Sequence, residues 1–132
     1  MLKYMLDTNI IIYTIKNRSE RVRSEFKKHE NQICISSVTL GELVYGAERS
    51  SKPEQNLADI AGLVARLEVL PFQDQAAEHF GELRARLYDI GKPIGPYDMM
   101  IAGHARSMGL ILVTNNLKEF ERVQGLRLEN WV

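Results

Sequence analysis

Five short apolar runs, each bounded by polar or turn-forming residues, constrain this chain more than any other feature: Lys3 to Leu6, Gln32 to Ile35, Glu68 to Leu70, Leu110 to Thr114 and Leu126 to Leu128. Each has the length of a strand, and apolar runs of that size bounded by turn signals read as buried strands. Between them the period changes. Leu57, Ile60, Val64 and Leu67 recur at helical spacing, as do Ala76, Phe80, Leu83 and Leu87, so each segment offers one apolar stripe to a core. Arg18 to Lys28 reads as a charged helix with Val22 and Phe26 turned inward. Pro53 and Pro96 stand where a helix tolerates proline, in its first turn, and Gly109 marks a turn before the fourth run. Strands alternating with helices specify an α/β chain with a mainly parallel sheet covered on both faces. The stretch Leu126 to Trp131 alternates apolar and polar residues, which suits an edge strand.

Composition narrows the class. At 132 residues and 45% hydrophobic content, the chain is expected to form one domain over residues 1–132 and to bury about two thirds of its unfolded surface. Its 17 basic and 17 acidic residues cancel, which excludes a global positive field, so any contact with nucleic acid must be local. Cys34, the only cysteine, lies between Ile33 and Ile35. It reads as a small buried hydrophobe, and a lone cysteine fits a reducing, cytoplasmic setting. The segment Met1 to Leu6 meets Asp7 before a signal peptide or membrane span could be completed, so no membrane association is expected.

The acids carry the chemistry. Asp7 follows the first strand and begins a helix, where an aspartate caps free backbone N–H groups. Glu42 stands three residues after Thr39, the spacing of a capping box. Asp98, two residues after Pro96, falls in a first helical turn, where negative charge suits the helix dipole. Singly, each has this structural account. Jointly, they follow strands or loops and open helices, and in a parallel sheet such positions share the carboxyl edge where ligands bind. Thr114, Asn115 and Asn116 leave the fourth strand at that edge, with Glu119 one turn further on. Two unit charges about 5 Å apart repel by roughly 3 kcal/mol at an effective dielectric of 20, so a bare cluster resists ionisation. Oxygen donors of this kind suit hard divalent cations, and Mg²⁺ keeps room for water and phosphate oxygens. Phosphodiester chemistry follows from that donor set.

Met5-Leu6-Asp7-Thr8-Asn9, Ser36 to Leu43, Gly91 to Asp98, Ile101 to Ser107 and Leu112 to Asn116 together resemble the VapC-type toxins of the PIN-domain ribonuclease family, over essentially the whole chain. The resemblance implies a three-layer α/β/α PIN fold, a homodimer, dependence on Mg²⁺ or Mn²⁺, and endonucleolytic cleavage of RNA. It also implies neutralisation by a VapB-type antitoxin, with DNA contacted only through that antitoxin. Carried over by residue, it assigns Asp7, Glu42 and Asp98 as catalytic metal ligands and puts Asn116 at the position of a fourth acid or polar substitute. Glu119 is the nearby alternative, with Thr114 and Asn9 in supporting places. A neutral Asn116 leaves a second metal position open. Met99 stands where relatives often carry glutamine. The likeness to enteric members points to tRNA, with the anticodon stem-loop of initiator tRNA as the cleaved element.

Other residues invite a role. His29, His79 and His104 lack zinc-ligand spacing, and His104 reads as a packed helix histidine. Lys92, Arg84, Arg86, Arg106, Lys118 and Arg122 are candidates for phosphate contacts, most of them ordinary solvated charges. Ile11, Ile12, Tyr13 and Ile15 give the first helix more apolar surface than one buried stripe needs, which suits a groove for a partner helix. Two rival readings remain. A phosphoacceptor receiver-like signalling domain lacks its adjacent acid pair and its late-strand lysine here, and a non-catalytic metal- or RNA-binding module leaves the three acids without a purpose.

Overall fold

The computed structural model describes Met1 to Val132. Its elements in chain order are β1 (Tyr4–Leu6), α1 (Thr8–Ile15), α2 (Glu20–Lys28), β2 (Ile33–Ser36), α3 (Ser37–Glu48), α4 (Pro53–Val64), β3 (Glu68–Leu70), α5 (Asp74–Asp89), α6 (Pro96–Ser107), β4 (Ile111–Val113), α7 (Leu117–Phe120) and β5 (Leu128–Glu129). All five strands run parallel in the order β3-β2-β1-β4-β5. Tyr4 pairs with Ile33 on one side and Ile111 on the other, and Leu6 pairs with Val113.

Alternation along the strands divides the core. Tyr4, Leu6, Ile33, Ile35 and Val113 face one layer, built from α1 to α4 with Val22, Phe26, Leu43 and Ile60. Met5, Cys34 and Leu112 face the other, built from α5, α6 and α7 with Leu83, Leu87, Ile101 and Phe120. This is the three-layer α/β/α arrangement. The central strands β1, β2 and β4 are buried throughout, whereas the edge strands β3 and β5 are partly exposed. Pro53 and Pro96 each open their helix as the sequence predicts.

Two expectations are corrected. The helical spacing extended to Leu67, but α4 ends at Val64, and Leu67 donates to the Val64 carbonyl in the turn leading to β3. The capping box of Thr39 and Glu42 does not form. Ser36 caps α3 by accepting the Val38 N–H at 3.1 Å, which puts Thr39 inside the helix and frees Glu42 from any capping duty.

The helices α5 and α6 are antiparallel neighbours. A Cβ on Gly103 would meet the Phe80 nitrogen at 2.7 Å and its Cα at 2.9 Å, so the backbones touch at a point where only glycine fits. Because the late part of α6 lies against the early part of α5, the start of α6 returns Asp98 to the carboxyl edge.

Candidate active site

Strand order reverses between β1 and β4, and in open α/β sheets the crevice at such a switch point receives ligands. Asp7 leaves β1 there and Thr114 leaves β4. Asp7 is 3% exposed and caps α1, its Oδ1 accepting the Ile10 N–H at 3.0 Å. Burial pushes its carboxyl up to about 6; hydrogen bonds from the Thr114 hydroxyl and the Ile10 and Asn9 N–H groups pull the other way, and the charge of Glu42 adds to the rise. The structural and chemical accounts of Asp7 therefore coexist, since the carboxyl that caps α1 also acts by its charge on Asp98.

Glu42 projects from α3 and accepts a hydrogen bond from Thr8 Oγ1 at 2.7 Å. Thr8, the residue after Asp7, thus orients a second acid from another element. Sequence reasoning gave Thr8 no role, although its place between Asp7 and Asn9 in the quoted motif was the available signal. Asp98 occupies the first turn of α6. Its carboxyl is also pushed up to about 6, first by burial and then by the charges of Glu42, Asp7 and Glu119. Asp98 thus feels the charge of three other carboxylates, from α1's cap, α3 and α7.

The remaining candidates separate. Glu119, partly buried on α7, is felt by Asp98. Asn116 stands at the N-cap position of α7 without a side-chain capping bond, and its backbone N–H donates to Thr114 Oγ1 at 2.9 Å. Asn115 donates to the Tyr13 hydroxyl at 3.3 Å. Asn9 is exposed in the first turn of α1 and joins the site through its backbone. Met99 is packed in the core. Among the basic residues, Arg106 and Arg86 are committed to Glu82, Arg84 lies over the rings of Phe80 and Tyr88, and Arg122 donates to the Pro93 carbonyl. Lys92 and Lys118 are exposed and enter no ion pair. His104 is buried as expected.

The donor chemistry fits a divalent cation. None of the four acids pairs with a lysine, arginine or histidine, so their repulsion is uncompensated within the chain. No three His, Cys, Asp or Glu side chains stand close enough to grip an ion unaided. An open acid cluster of this type suits a hard divalent cation bound through one or two carboxylates, with water and phosphate oxygens as its other ligands.

Beside Glu42 a cavity of about 270 Å³ runs between α1, α3 and α4, with Ile12, Ile15, Leu43, Ala47 and Ile60 among its walls. Ile11 is instead fully committed to the core. No helix is long and apolar enough to cross a membrane.

Known proteins resemble the chain over its whole length. The PIN domain family matches residues 4–126. The tRNA(fMet)-specific endonuclease VapC of Shigella flexneri is 60% identical, and its namesake from Salmonella typhimurium 58%, each match covering 99% of both chains. The VapC chain in a crystal structure of DNA-bound VapBC from Salmonella typhimurium superposes with a TM-score of 0.96 at 57% identity, covering 100% of both chains.

Proposed function

Because the chain belongs to the PIN-domain family, we propose that it is a divalent-metal-dependent endoribonuclease, the toxin of a VapBC-type pair, cutting RNA with Asp7, Glu42 and Asp98. The uncompensated acid cluster at the sheet's switch point carries this reading. The names of the relatives support initiator tRNA as the substrate, and Mg²⁺ is the cation that best suits so open a donor set.

Of Asp7, Glu42 and Asp98, one or two would ligate the cation directly and the rest would reach it through water, with Glu119 or Asn116 in the same outer ring. When bound, it supplies charge neutralisation at the scissile phosphate and makes water a stronger acid at neutral pH. The chain's own residues do the positioning. Thr114 and the start of α1 fix the Asp7 carboxyl, and Thr8 fixes one oxygen of Glu42. The N-termini of α1 and α6 both open at the crevice, and their positive ends favour an anionic phosphate. With Asp7 and Asp98 near 6, chiefly through burial, both are mostly ionised at neutral pH, and a bound cation would favour their charged forms further.

The apolar cavity beside Glu42 is where we place a segment of a VapB-type antitoxin. Its aliphatic walls suit an apolar helix face, and an occupant there would cover Glu42, the one site acid that lines it. The reading is tested by incubating purified protein with total bacterial RNA, with and without Mg²⁺, and mapping new 5′ ends. Cleavage confined to a tRNA anticodon region and abolished by EDTA is expected. An RNA pool unchanged in Mg²⁺ and Mn²⁺ would refute it.

A further inference from the structure

His104 is sealed inside the molecule at 2% exposure, and nothing in the chemistry above uses it. Its Nδ1 lies 2.8 Å from Ser36 Oγ. Ser36 ends β2 and caps α3, so the same oxygen that accepts the Val38 N–H also meets the imidazole. The ring of His104 meets Phe72 edge-on, with centroids 5.6 Å apart and planes at 86°. Phe72 in turn donates its backbone N–H to Ser37 Oγ at 3.0 Å. The circuit closes through the peptide bond between Ser36 and Ser37. It ties the start of α3, the approach to α5 and a late turn of α6 into one knot.

Both acids are carried by helices fastened at this knot. Glu42 follows Ser36 by six residues along α3, and Asp98 precedes His104 by six along α6. Each therefore lies about 9 Å from the knot along a helix rising 1.5 Å per residue. A tilt of α6 at His104 swings Asp98 relative to Glu42. The hydroxyl of Ser36 has one proton and two lone pairs, and removing the imidazole would leave a buried polar atom short of a partner. Such an atom costs enough to shift a helix in search of another.

Resting on the ribonuclease reading, we propose that the Ser36–His104 hydrogen bond, closed by Phe72 and Ser37, is a positioning joint. It sets the separation of Glu42 and Asp98, and with it the affinity of the acid cluster for a divalent cation. His104 is a positioning residue that touches neither acid.

The test compares His104→Phe, which keeps a ring against Phe72 without the nitrogen, with His104→Asn, whose amide can reach the place of Nδ1. Ser36→Ala and the double variant complete the set. Mn²⁺ binding to metal-free protein is measured by calorimetry, alongside thermal midpoint and the separate kcat and KM for RNA. His104→Phe is expected to weaken Mn²⁺ binding about threefold to tenfold, no more than losing a direct outer partner of a metal ligand costs, because His104 acts on the acids only through helix position, and to lower kcat while KM holds. His104→Asn should restore most of both, and the double variant should be no worse than the worse single. A fall in thermal midpoint with Mn²⁺ affinity and kcat unchanged would overturn the joint. Should His104→Phe not fold, Ser36→Ala binding Mn²⁺ as the parent does would overturn it equally. A parent protein that neither binds Mn²⁺ nor cuts RNA overturns the ribonuclease reading itself, whereas a parent that does both, matched by His104→Phe, overturns only the joint.

Discussion

Asp7 shows how one side chain meets two demands, capping a helix and placing a charge that Asp98 feels at the sheet edge. Asp7→Asn keeps the cap, since asparagine is an equally good N-cap, but removes the charge. Asp7→Asn and Asp98→Asn are each expected to abolish RNA cleavage in a gel assay while far-UV circular dichroism stays unchanged. Metal-free stability should move the other way. A carboxyl whose folded value lies near 6 against 3.8 in the open chain destabilises the fold fully above pH 6, and the penalty fades as pH falls towards 3.8. Asp7→Asn should therefore stabilise the EDTA-treated protein by at most about 3 kcal/mol at pH 7.5, and by less at pH 5. Thermal midpoints at the two pH values check the sign. The fourth position is a second question at this scale. From sequence, Asn116 had the shorter path to the site; in the fold, Glu119 lies near enough for its charge to raise the Asp98 carboxyl, which makes it a candidate beside the neutral Asn116. Glu119→Gln is expected to raise the Mg²⁺ concentration for half-maximal cleavage several-fold, with Asn116→Ala milder, and a larger shift in Asn116→Ala would reverse that assignment.

Among the elements, the pair α5 and α6 controls where Asp98 arrives. Their contact is closest at Gly103, where an added methyl would overlap backbone atoms of Phe80 rather than a yielding side chain. Gly103→Ala is therefore expected to destabilise by about 1 to 3 kcal/mol, as overpacking does, and to reduce cleavage beyond what the lost folded fraction explains, because α6 must move. Urea melts and activity per folded molecule separate the two effects. Helical spacing showed that both segments were amphipathic, and the prolines marked where α4 and α6 begin. It could not show that Ser36 rather than Thr39 caps α3, because both positions carry hydroxyls and the choice depends on where β2 stops pairing. Nor could it find Thr8 as the partner of Glu42, since they are 34 residues apart and meet only because β1 and β2 are neighbours in the sheet.

For the whole molecule, the fold's contribution is to bring acids from distant points of a chain with no net charge into one crevice. Cleavage should follow Mg²⁺ or Mn²⁺ and fail with Ca²⁺, whose looser and more numerous coordination organises an in-line displacement poorly. Mn²⁺ should also raise the thermal midpoint of metal-free protein, because a ligand bound only by the native state stabilises it. Equal turnover with Ca²⁺, or no thermal shift with Mn²⁺, would count against the site. The strands, most helices, the parallel two-faced sheet and the candidate acids are legible along the chain, because hydrophobic period, proline position and motif order are local properties. Which strands are neighbours, which hydroxyl orients which carboxylate, and how Glu119 and His104 stand to the acids emerge in the folded chain alone. Those relations depend on strand order and helix packing, which join residues far apart in sequence and leave no periodic trace in it.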